Sequence, residues 1–366
     1  MKALKLNKIL EDHKKWLLQE EGGKRADLHK ANLSKIFLLG VDLSSASLES
    51  ANLEAAVLRD ANLQQALMSS ANLDSADLND ANLDSAQMAL VSLVNSNLRG
   101  ANLSNANLSG SCLRGANLAY ASLENACLDN ANLSGVNLQK TNLKKASLVG
   151  ANLKFADLRD ADLSEVDLSQ ADLTNAILGD ANLQKAILNG TSLKSADLSH
   201  ANLSHGSFLS ANLGYANLYG ALLEDANLGS ANLDHADFTR ANLKDARFSL
   251  AVLSDTILDK SEQIRKGVSL EKPMTGYKKC KDGIIVTLEI PAHAVVFSIN
   301  NGKCRTNMAR VVDIDDNLDQ VASYYDRDFI YHKGDMVYPK NFDAMYNVEC
   351  GEGIHFFRTR KEAEEY

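Results

Sequence analysis

The residues with the clearest potential for chemistry are three cysteines and a histidine near the end of the chain, Cys280, Cys304, Cys350 and His355. Thiolate and imidazole are usual zinc ligands, and a thiolate beside a base is a common nucleophile. The thiols lie 24 and 46 residues apart, however, whereas structural zinc sites usually contain close cysteine pairs, and a buried free cysteine is common in protein cores. We therefore expect no catalytic residue and no cofactor. The four residues remain candidate zinc ligands, and Cys304 or Cys350 with His355 a candidate nucleophile pair.

A five-residue repeat occupies most of the chain and must set the scaffold. From Ala26 to Lys260 the sequence divides into 47 quintets in unbroken register, with Leu at the centre of 42 and Ala two positions earlier in 36. On a helix, leucines five apart would scatter around the surface, and on a flat strand they would alternate between faces. The chain must instead run extended, turn a corner and repeat, which places both apolar residues inside.

A four-sided coil of four quintets predicts that residues twenty apart stack on one another. Met68 and Met88 are twenty apart, and Phe208 and Phe248 share the same column. Gly206 replaces the usual Ala beside Phe208, so that a larger side chain has a smaller neighbour. Eight of the twelve glycines in the repeat occupy the last quintet position, where we expect the corner. Outward asparagines also form columns that predict amide ladders, namely Asn62, Asn82, Asn102 and Asn32, Asn52, Asn72.

These tandem A-N-L-x-x and A-D-L-x-x units resemble the pentapeptide repeat proteins. The resemblance covers residues 26–260 and implies a right-handed quadrilateral β-helix, the handedness resting on the resemblance alone. With coils about 4.8 Å apart, such a rod would be roughly 56 Å long. We predict a mainly β protein in which this rod carries an N-terminal capping helix and a small C-terminal α+β domain.

Composition divides the chain further into a capping helix at 1–25, the rod at 26–260, a cap or linker at 261–275 and the small domain at 276–366. The helix is predicted over residues 3–21, where apolar residues recur at helical spacing before two glycines. In the last segment, five β-branched or aromatic runs predict a largely antiparallel sheet. The capping-box spacing of Thr359 and Glu362 predicts a final helix.

The C-terminal segment is similar to an uncharacterised domain that follows pentapeptide repeats in phage, bacterial and large-virus proteins. The similar stretches are GYKKCKDG at 276–283, YYDRDFIYHKGDMVYPKNFD at 324–343 and ECGEGIHFF at 349–357. This resemblance implies no activity.

Charge bears on the choice of partner, because several pentapeptide repeat proteins resemble B-form DNA and bind type II topoisomerases. A DNA mimic as long as this rod would need on the order of 33 negative charges. The rod carries a net charge of −10, and it is banded, with +4 over residues 136–155 and −6 over 156–180. Inhibition of a type II topoisomerase or another DNA-binding protein by DNA mimicry is therefore our second hypothesis.

A few outward residues form a candidate protein-binding surface. Phe155 and Tyr215 share one column, and Tyr219 and His235 lie close to Tyr215. The acidic band suggests calcium, but its carboxylates project from different sides and should not converge on one ion. Its members are Asp157, Asp160, Asp162, Glu165, Asp167 and Asp172. Four of them belong to the candidate protein-binding surface, namely Asp157, Asp162, Asp167 and Asp172.

Five cysteines without paired spacing favour a reducing compartment, and the lysine-rich start lacks the features of a signal peptide, so we expect a cytoplasmic protein. Our first hypothesis is a non-enzymatic binding or scaffold protein whose rod presents the C-terminal domain to a protein partner. We expect no direct nucleic-acid binding and no membrane partner, and homo-oligomers remain open. The third hypothesis is a zinc-dependent or thiol-dependent activity in the C-terminal domain.

Overall fold

The computed structural model describes an N-terminal helix, a long β-coil and a C-terminal β domain. The described residues are 3–248, 251–252, 256–257, 268–269, 272–292, 294–298, 303–324, 328–339 and 354–366. The helices are α1 (Ala3–Leu17) and α2 (Arg360–Glu365), and among the described residues no helix has the length and apolar character needed to cross a bilayer. The strands are β1 (Val268–Ser269), β2 (Met274–Lys279), β3 (Ile285–Ile290), β4 (Val295–Ser298), β5 (Lys303–Thr306), β6 (Ala309–Ile314), β7 (Gln320–Ala322), β8 (Ile330–His332), β9 (Met336–Val337) and β10 (Ile354–Phe357).

The quintets form a coil that repeats every twenty residues, as the sequence predicts. Parallel bridges join the second residue of each quintet to its equivalent twenty residues later, from Asp27 with Ser47 to Asp237 with Ile257. One pair shows the pattern: the Val57 N–H donates to the C=O of Ile36 (2.8 Å), and the Leu38 N–H donates to the C=O of Val57 (2.8 Å). We number the sides 1 to 4 after the first four quintets, 26–30, 31–35, 36–40 and 41–45.

Corners form at the fifth quintet residue, which has a positive φ whatever its side chain. Ser70 has φ 59° and Gly100 has φ 69°, and the Ala71 N–H donates across the corner to the C=O of Met68 (3.0 Å). A positive φ at the third residue of a turn is a feature of type II turns and suits glycine. The predicted position of the glycine-rich corner is therefore confirmed.

The interior of the coil is filled by the small and large residues that the repeat predicts. Leu and Ala from successive quintets are almost completely buried, for example Leu43, Ala46 and Leu48 at 0% exposure. A Cβ atom on Gly206 would lie 2.8 Å from Cε2 of Phe208, which confirms that glycine makes room for the larger ring. The rod thus has a solid, close-packed core.

Outside the coil, amide ladders run along the columns and have a direction. Asn102 donates from Nδ2 to Oδ1 of Asn82 (3.2 Å), Asn82 donates to Asn62 (3.2 Å), and Asn62 donates to Asp42 (3.1 Å). Each amide donates toward the N-terminus, so the first member needs only to accept, and an aspartate suits that position. Desolvation raises the pKa of Asp42, but hydrogen bonds from Ser44 and Asn62 outweigh it and hold the pKa below its ordinary value.

Helix α1 packs on the first coil. Leu6 is buried in the same apolar cluster as the rod interior, and Ile9 and Leu10 pack against that cluster. The buried His13 accepts a hydrogen bond at Nδ1 from the N–H of Ala26 (3.1 Å), and burial lowers its pKa. The helix ends at Leu17, four residues before the predicted limit of 21.

The C-terminal domain is built on an eight-stranded antiparallel sheet in the order β1-β4-β5-β10-β2-β3-β6-β9, beside a β7-β8 hairpin. The five predicted runs become β3, β4, β6, β8 and β10. Strand β1 and the start of β2 come from the segment that the sequence predicts to be a cap or linker, where lysine and glycine give a weak strand signal. Helix α2 has the predicted capping box, in which the Thr359 N–H donates to Oε2 of Glu362 (2.9 Å) and the Glu362 N–H donates to Thr359 Oγ1 (3.3 Å).

Candidate binding surfaces

Aromatic side chains at the corners of the rod form two small clusters near its C-terminal end. Tyr215 and His235 are twenty residues apart and stack with ring centroids 4.5 Å apart and planes inclined by 15°. Tyr219 meets the edge of the His200 ring at 5.4 Å, and the guanidinium carbon of Arg240 lies 5.6 Å from the centroid of the Tyr219 ring. The coil positions these rings because adjacent coils bring residues twenty apart together.

Phe155 does not join these clusters. It is in the column of Tyr215 but three coils earlier, which places it roughly 14 Å away along the axis. Its side chain is 64% exposed. The structure therefore brings together Tyr215 and His235, gives Tyr219 separate ring partners, and leaves Phe155 as an isolated aromatic residue on the rod surface.

The acidic candidates lie on different sides of the coil and make local contacts. Asp157 accepts from Nε (2.9 Å) and Nη2 (2.6 Å) of Arg159, and these bonds, with one from Gln139, hold the Asp157 pKa below its ordinary value despite desolvation. Asp172 pairs with Lys154 at 2.9 Å. The other two accept backbone N–H bonds two residues ahead, Asp162 from Ser164 and Asp167 from Ser169. These carboxylates fix side chains and turns of the rod and do not converge.

The cysteine and histidine candidates are dispersed in the C-terminal sheet. Cys280 directly follows β2 and Cys304 lies on β5, both buried, and β10 separates these two strands. Neighbouring strands are about 4.8 Å apart, so the two backbones are roughly 10 Å apart, whereas thiolates on one zinc ion lie within about 4 Å of each other. Cys350 is outside the described residues.

His355 also points away from Cys304. Cys304 pairs with Phe356 across β5 and β10, so these two side chains share a face of the sheet, and the preceding His355 faces the other side. The described residues contain no group of three or more His, Cys, Asp or Glu side chains placed to share a metal ion. Burial raises the pKa of the Cys280 thiol to about 11, which is opposite to the shift of a reactive cysteine.

The rod and the C-terminal domain meet through Arg358, just after β10. Its Nη2 donates to the backbone C=O of Ala251 at 3.4 Å. Elsewhere in the rod, the carbonyl at this quintet position accepts an N–H from the next coil, as Ala231 does from Val252 (2.9 Å). The guanidinium therefore supplies a donor where the coil ends, a contact that sequence reasoning missed because it joins residues 107 positions apart.

Another missed cluster centres on Tyr120, a corner residue that is 52% exposed. The guanidinium carbon of Arg99 lies 4.3 Å from the centroid of its ring, and Nζ of Lys140 lies 5.8 Å from the same centroid. The signal was available in the sequence, because Lys140 is twenty residues after Tyr120 and Arg99 lies in the coil before it.

Comparison with known families accounts for nearly the whole chain. Nine overlapping segments between residues 24 and 255 match the family described as pentapeptide repeats (8 copies). Residues 264–363 match a family of unknown function, DUF5758, whose start lies within the predicted linker. No curated protein matches the chain.

Among solved structures, the chain is similar to HetL, a pentapeptide repeat protein involved in heterocyst differentiation regulation in the cyanobacterium Nostoc sp. strain PCC 7120. The identity is 31%, with 68% of this chain and 93% of HetL covered and a TM-score of 0.34. It is also similar to Rfr23 from the cyanobacterium Cyanothece 51142, at 32% identity over 35% of this chain and 88% of that one, with a TM-score of 0.17. Trypsin-treated QnrB1, a plasmid-mediated fluoroquinolone resistance protein, is 19% identical over 50% of this chain and 88% of its own, with a TM-score of 0.28. The chain therefore belongs to the pentapeptide repeat family, and its rod is followed by a domain that matches a family of unknown function.

Proposed function

We propose that this protein is a non-enzymatic, cytoplasmic binding protein, in which a right-handed β-helix capped by α1 presents the C-terminal domain to a protein partner. The observation that carries the proposal is the solid interior of the rod. Its Leu and Ala side chains are almost completely buried, for example Leu63 and Ala66 at 0% exposure, so the coil leaves no cavity for a substrate. Binding must then use outer surfaces.

The C-terminal domain supplies the more varied of these surfaces. The rod exterior also exposes apolar side chains, among them Leu90 and Phe155, but it repeats the same polar ladders and turns from coil to coil. The domain instead exposes apolar residues on strands that do not repeat, near its β9 edge and on the β7-β8 hairpin. Exposed apolar side chains at a sheet edge favour association with another protein. They are Val312 on β6, Ile330 on β8 and Tyr338 directly after β9.

The thiols support a reducing compartment as the place of action. Cys112 and Cys127 are free thiols, half-buried on the rod surface. Free, partly accessible thiols are typical of cytoplasmic proteins.

The test is affinity capture with the full-length protein and two matched variants. Ile330→Lys with Tyr338→Ala alters the β9 edge, and Tyr215→Ala alters the rod. We expect a specific partner to be recovered by the wild type and the rod variant, and to be lost with the edge variant. Loss with Tyr215→Ala alone would place binding on the rod and overturn the proposal.

DNA mimicry receives less support from the surface. The net charge of −10 on residues 26–260 is well below the roughly 33 charges of equivalent duplex. The acidic side chains of residues 157–172 are divided among four sides and engaged locally, so no side forms a continuous anionic face. Displacement of DNA from a type II topoisomerase by the full-length protein at low salt would reverse this ranking.

A further inference from the structure

The charged side chains at the corners of the rod are concentrated along the two edges of side 4. One edge is the column of fifth quintet residues that ends side 3, and the other is the column that ends side 4 itself. Of the 15 charged residues at the fifth position of a quintet, 12 lie in these two columns. Between the edges, the second positions of side 4 are mainly asparagine. Side 4 is therefore a flat, polar face with charge along both edges.

On each edge a lysine is followed by a carboxylate in the next coil. Lys140 and Asp160 have this arrangement on one edge, and Lys145 and Glu165 have it on the other. All four residues are exposed. Within the described residues, none of the four takes part in an ion pair or a side-chain hydrogen bond. Their charges are therefore available to another molecule.

We propose that side 4 packs against side 4 of a second copy of the chain, with the two rods antiparallel about a two-fold axis. The axis crosses the face between the quintets 141–145 and 161–165. Because it reverses the order of the coils and keeps each edge on its own side, Lys140 faces Asp160 of the second copy, and Lys145 faces Glu165 of the second copy. Each contact occurs twice, as it must in an isologous interface.

The same axis brings together other charges further along the face. Asp60 faces Arg240 of the second copy on the same edge as Lys140, which adds two contacts between opposite charges. One contact joins like charges, Asp84 with Glu224 of the second copy. Glu224 is already paired with Lys244 of its own chain, which offsets this repulsion. The face as a whole is therefore complementary to itself.

The positions of the four central charges also select this register over its neighbours. Moving the axis by half a coil toward the N-terminus would place Lys140 and Lys145 each against its own counterpart. Moving it by half a coil toward the C-terminus would do the same to Asp160 and Glu165. Like charges placed directly opposite one another disfavour both alternatives. The charge pattern thus fixes the alignment of the two rods.

The size and polarity of the face predict a weak, salt-dependent dimer. The rods overlap over roughly 50 Å, and a side of about three extended residues is roughly 10 Å wide, so each copy buries about 500 Å². A total of about 1,000 Å² is near the lower limit for a specific interface. A second copy matches the face better than a purely acidic or basic partner, because both signs of charge alternate along each edge.

Sedimentation equilibrium of the full-length protein at low salt tests the proposal with two charge-reversed variants. The first variant combines Lys140→Glu with Lys145→Glu, and the second combines Asp160→Lys with Glu165→Lys. Each variant alone replaces four ion pairs by four like-charge contacts, so we expect its dimer to be weaker than the wild-type dimer by at least about tenfold. In an equimolar mixture every one of these contacts again joins opposite charges, and we expect dimers to return. The wild-type dimer should dissociate at 1 M salt, where the Debye length is about 3 Å.

A control variant separates this pairing from an effect of net charge. Lys185→Glu with Lys194→Glu changes the net charge as the first variant does, but Lys185 faces Asn125 of the second copy, and Lys194 is on side 2. We expect this control to dimerise within about twofold of wild type and to restore less dimer when mixed with the second variant. A wild type that stays monomeric at low salt, or a mixture of the two charge-reversed variants that forms no more dimer than either alone, would overturn the proposal.

Carbodiimide crosslinking of the wild type tests the register without any substitution. The reagent joins an amine to a carboxylate that is in contact with it, so it should couple Lys145 to Glu165 and Lys140 to Asp160. A mixture of unlabelled and ¹⁵N-labelled chains distinguishes crosslinks between copies from those within one chain. We expect mixed-isotope peptides for both pairs at low salt, and their absence would refute this alignment. Neither experiment depends on the partner of the C-terminal domain.

Discussion

The pairing of Gly206 with Phe208 offers a test of how the interior of the rod is packed. In most quintets Ala precedes a central Leu, whereas here Gly precedes a central Phe. A Cβ added at Gly206 would lie 2.8 Å from Cε2 of Phe208 and 3.0 Å from the backbone oxygen of Leu203. The first contact is too short to persist, so Gly206→Ala should displace the ring or the backbone.

The expected change in unfolding free energy follows from the tight packing of the rod interior. Overpacking of this kind costs about 1–3 kcal/mol of unfolding free energy. Phe208→Leu alone removes buried ring atoms and should cost on the order of 1 kcal/mol. Together the two substitutions restore the common Ala-x-Leu quintet, so the double variant should return to within about 1 kcal/mol of wild type, with a favourable coupling of at least about 1 kcal/mol.

Urea unfolding followed by circular dichroism on the four members of this cycle measures the coupling. Gly179→Ala is the control, because the nearest atoms to its added Cβ would be 3.6 Å and 3.8 Å away, both on Ser199. That substitution should change the unfolding free energy by less than about 1 kcal/mol. Effects of Gly206→Ala and Phe208→Leu that simply add in the double variant would refute the size compensation.

Three further predictions concern the N-terminal helix, the ladders and the thiols. Burial lowers the pKa of His13, so the unfolded form binds more protons as the pH falls through about 6.5, and the docking of α1 should weaken there. The single tryptophan, Trp16, stacks on His13 with ring centroids 5.5 Å apart, so its fluorescence should report this transition. The substitution His13→Gln should abolish it. Asn82→Asp removes the amide that donates to Asn62 and should lower the unfolding free energy, measured by urea titration, by about 1–2 kcal/mol. Asn227→Asp, whose column neighbours are Ser207 and Arg247, should change it by less than about 0.5 kcal/mol. With a pKa of about 11, Cys280 should resist alkylation by iodoacetamide at pH 8 in the native protein, whereas the half-buried cysteines of the rod should react. Peptide mass spectrometry measures the labelling of each cysteine. Rapid labelling of Cys280 would contradict its burial.

The fold of the rod was predictable because its buried interior requires apolar residues at fixed positions of every quintet. Leucine at every fifth residue excludes a helix and a flat strand, and columns of unusual residues such as Met68 and Met88 reveal the period of twenty. The direction of the amide ladders was not predictable, because the spacing of the asparagines does not show which amide of a stacked pair donates. The same is true of Asp42 at the start of a ladder, whose role appears only when Asn62 is seen to donate to it.

The candidate surfaces were predictable only in part. The stack of Tyr215 on His235 follows from their spacing, since residues twenty apart are neighbours. The contact of Arg358 with Ala251 joins two domains and leaves no local pattern. Strand β2 was missed because lysine and glycine are poor strand formers, although in the sheet it lies between β10 and β3, which overrides that preference.

The corner after every fifth residue also controls the direction in which the C-terminal domain faces. Deleting or inserting twenty residues would shorten or lengthen the rod by about 4.8 Å and leave the domain facing the same way. Removing a single quintet would instead turn the domain by a quarter revolution around the long axis, with almost no change in length. The number of repeats therefore sets the axial position of the C-terminal domain and its orientation around the long axis separately. A partner that requires a particular orientation would tolerate the loss or gain of whole coils but not of single quintets.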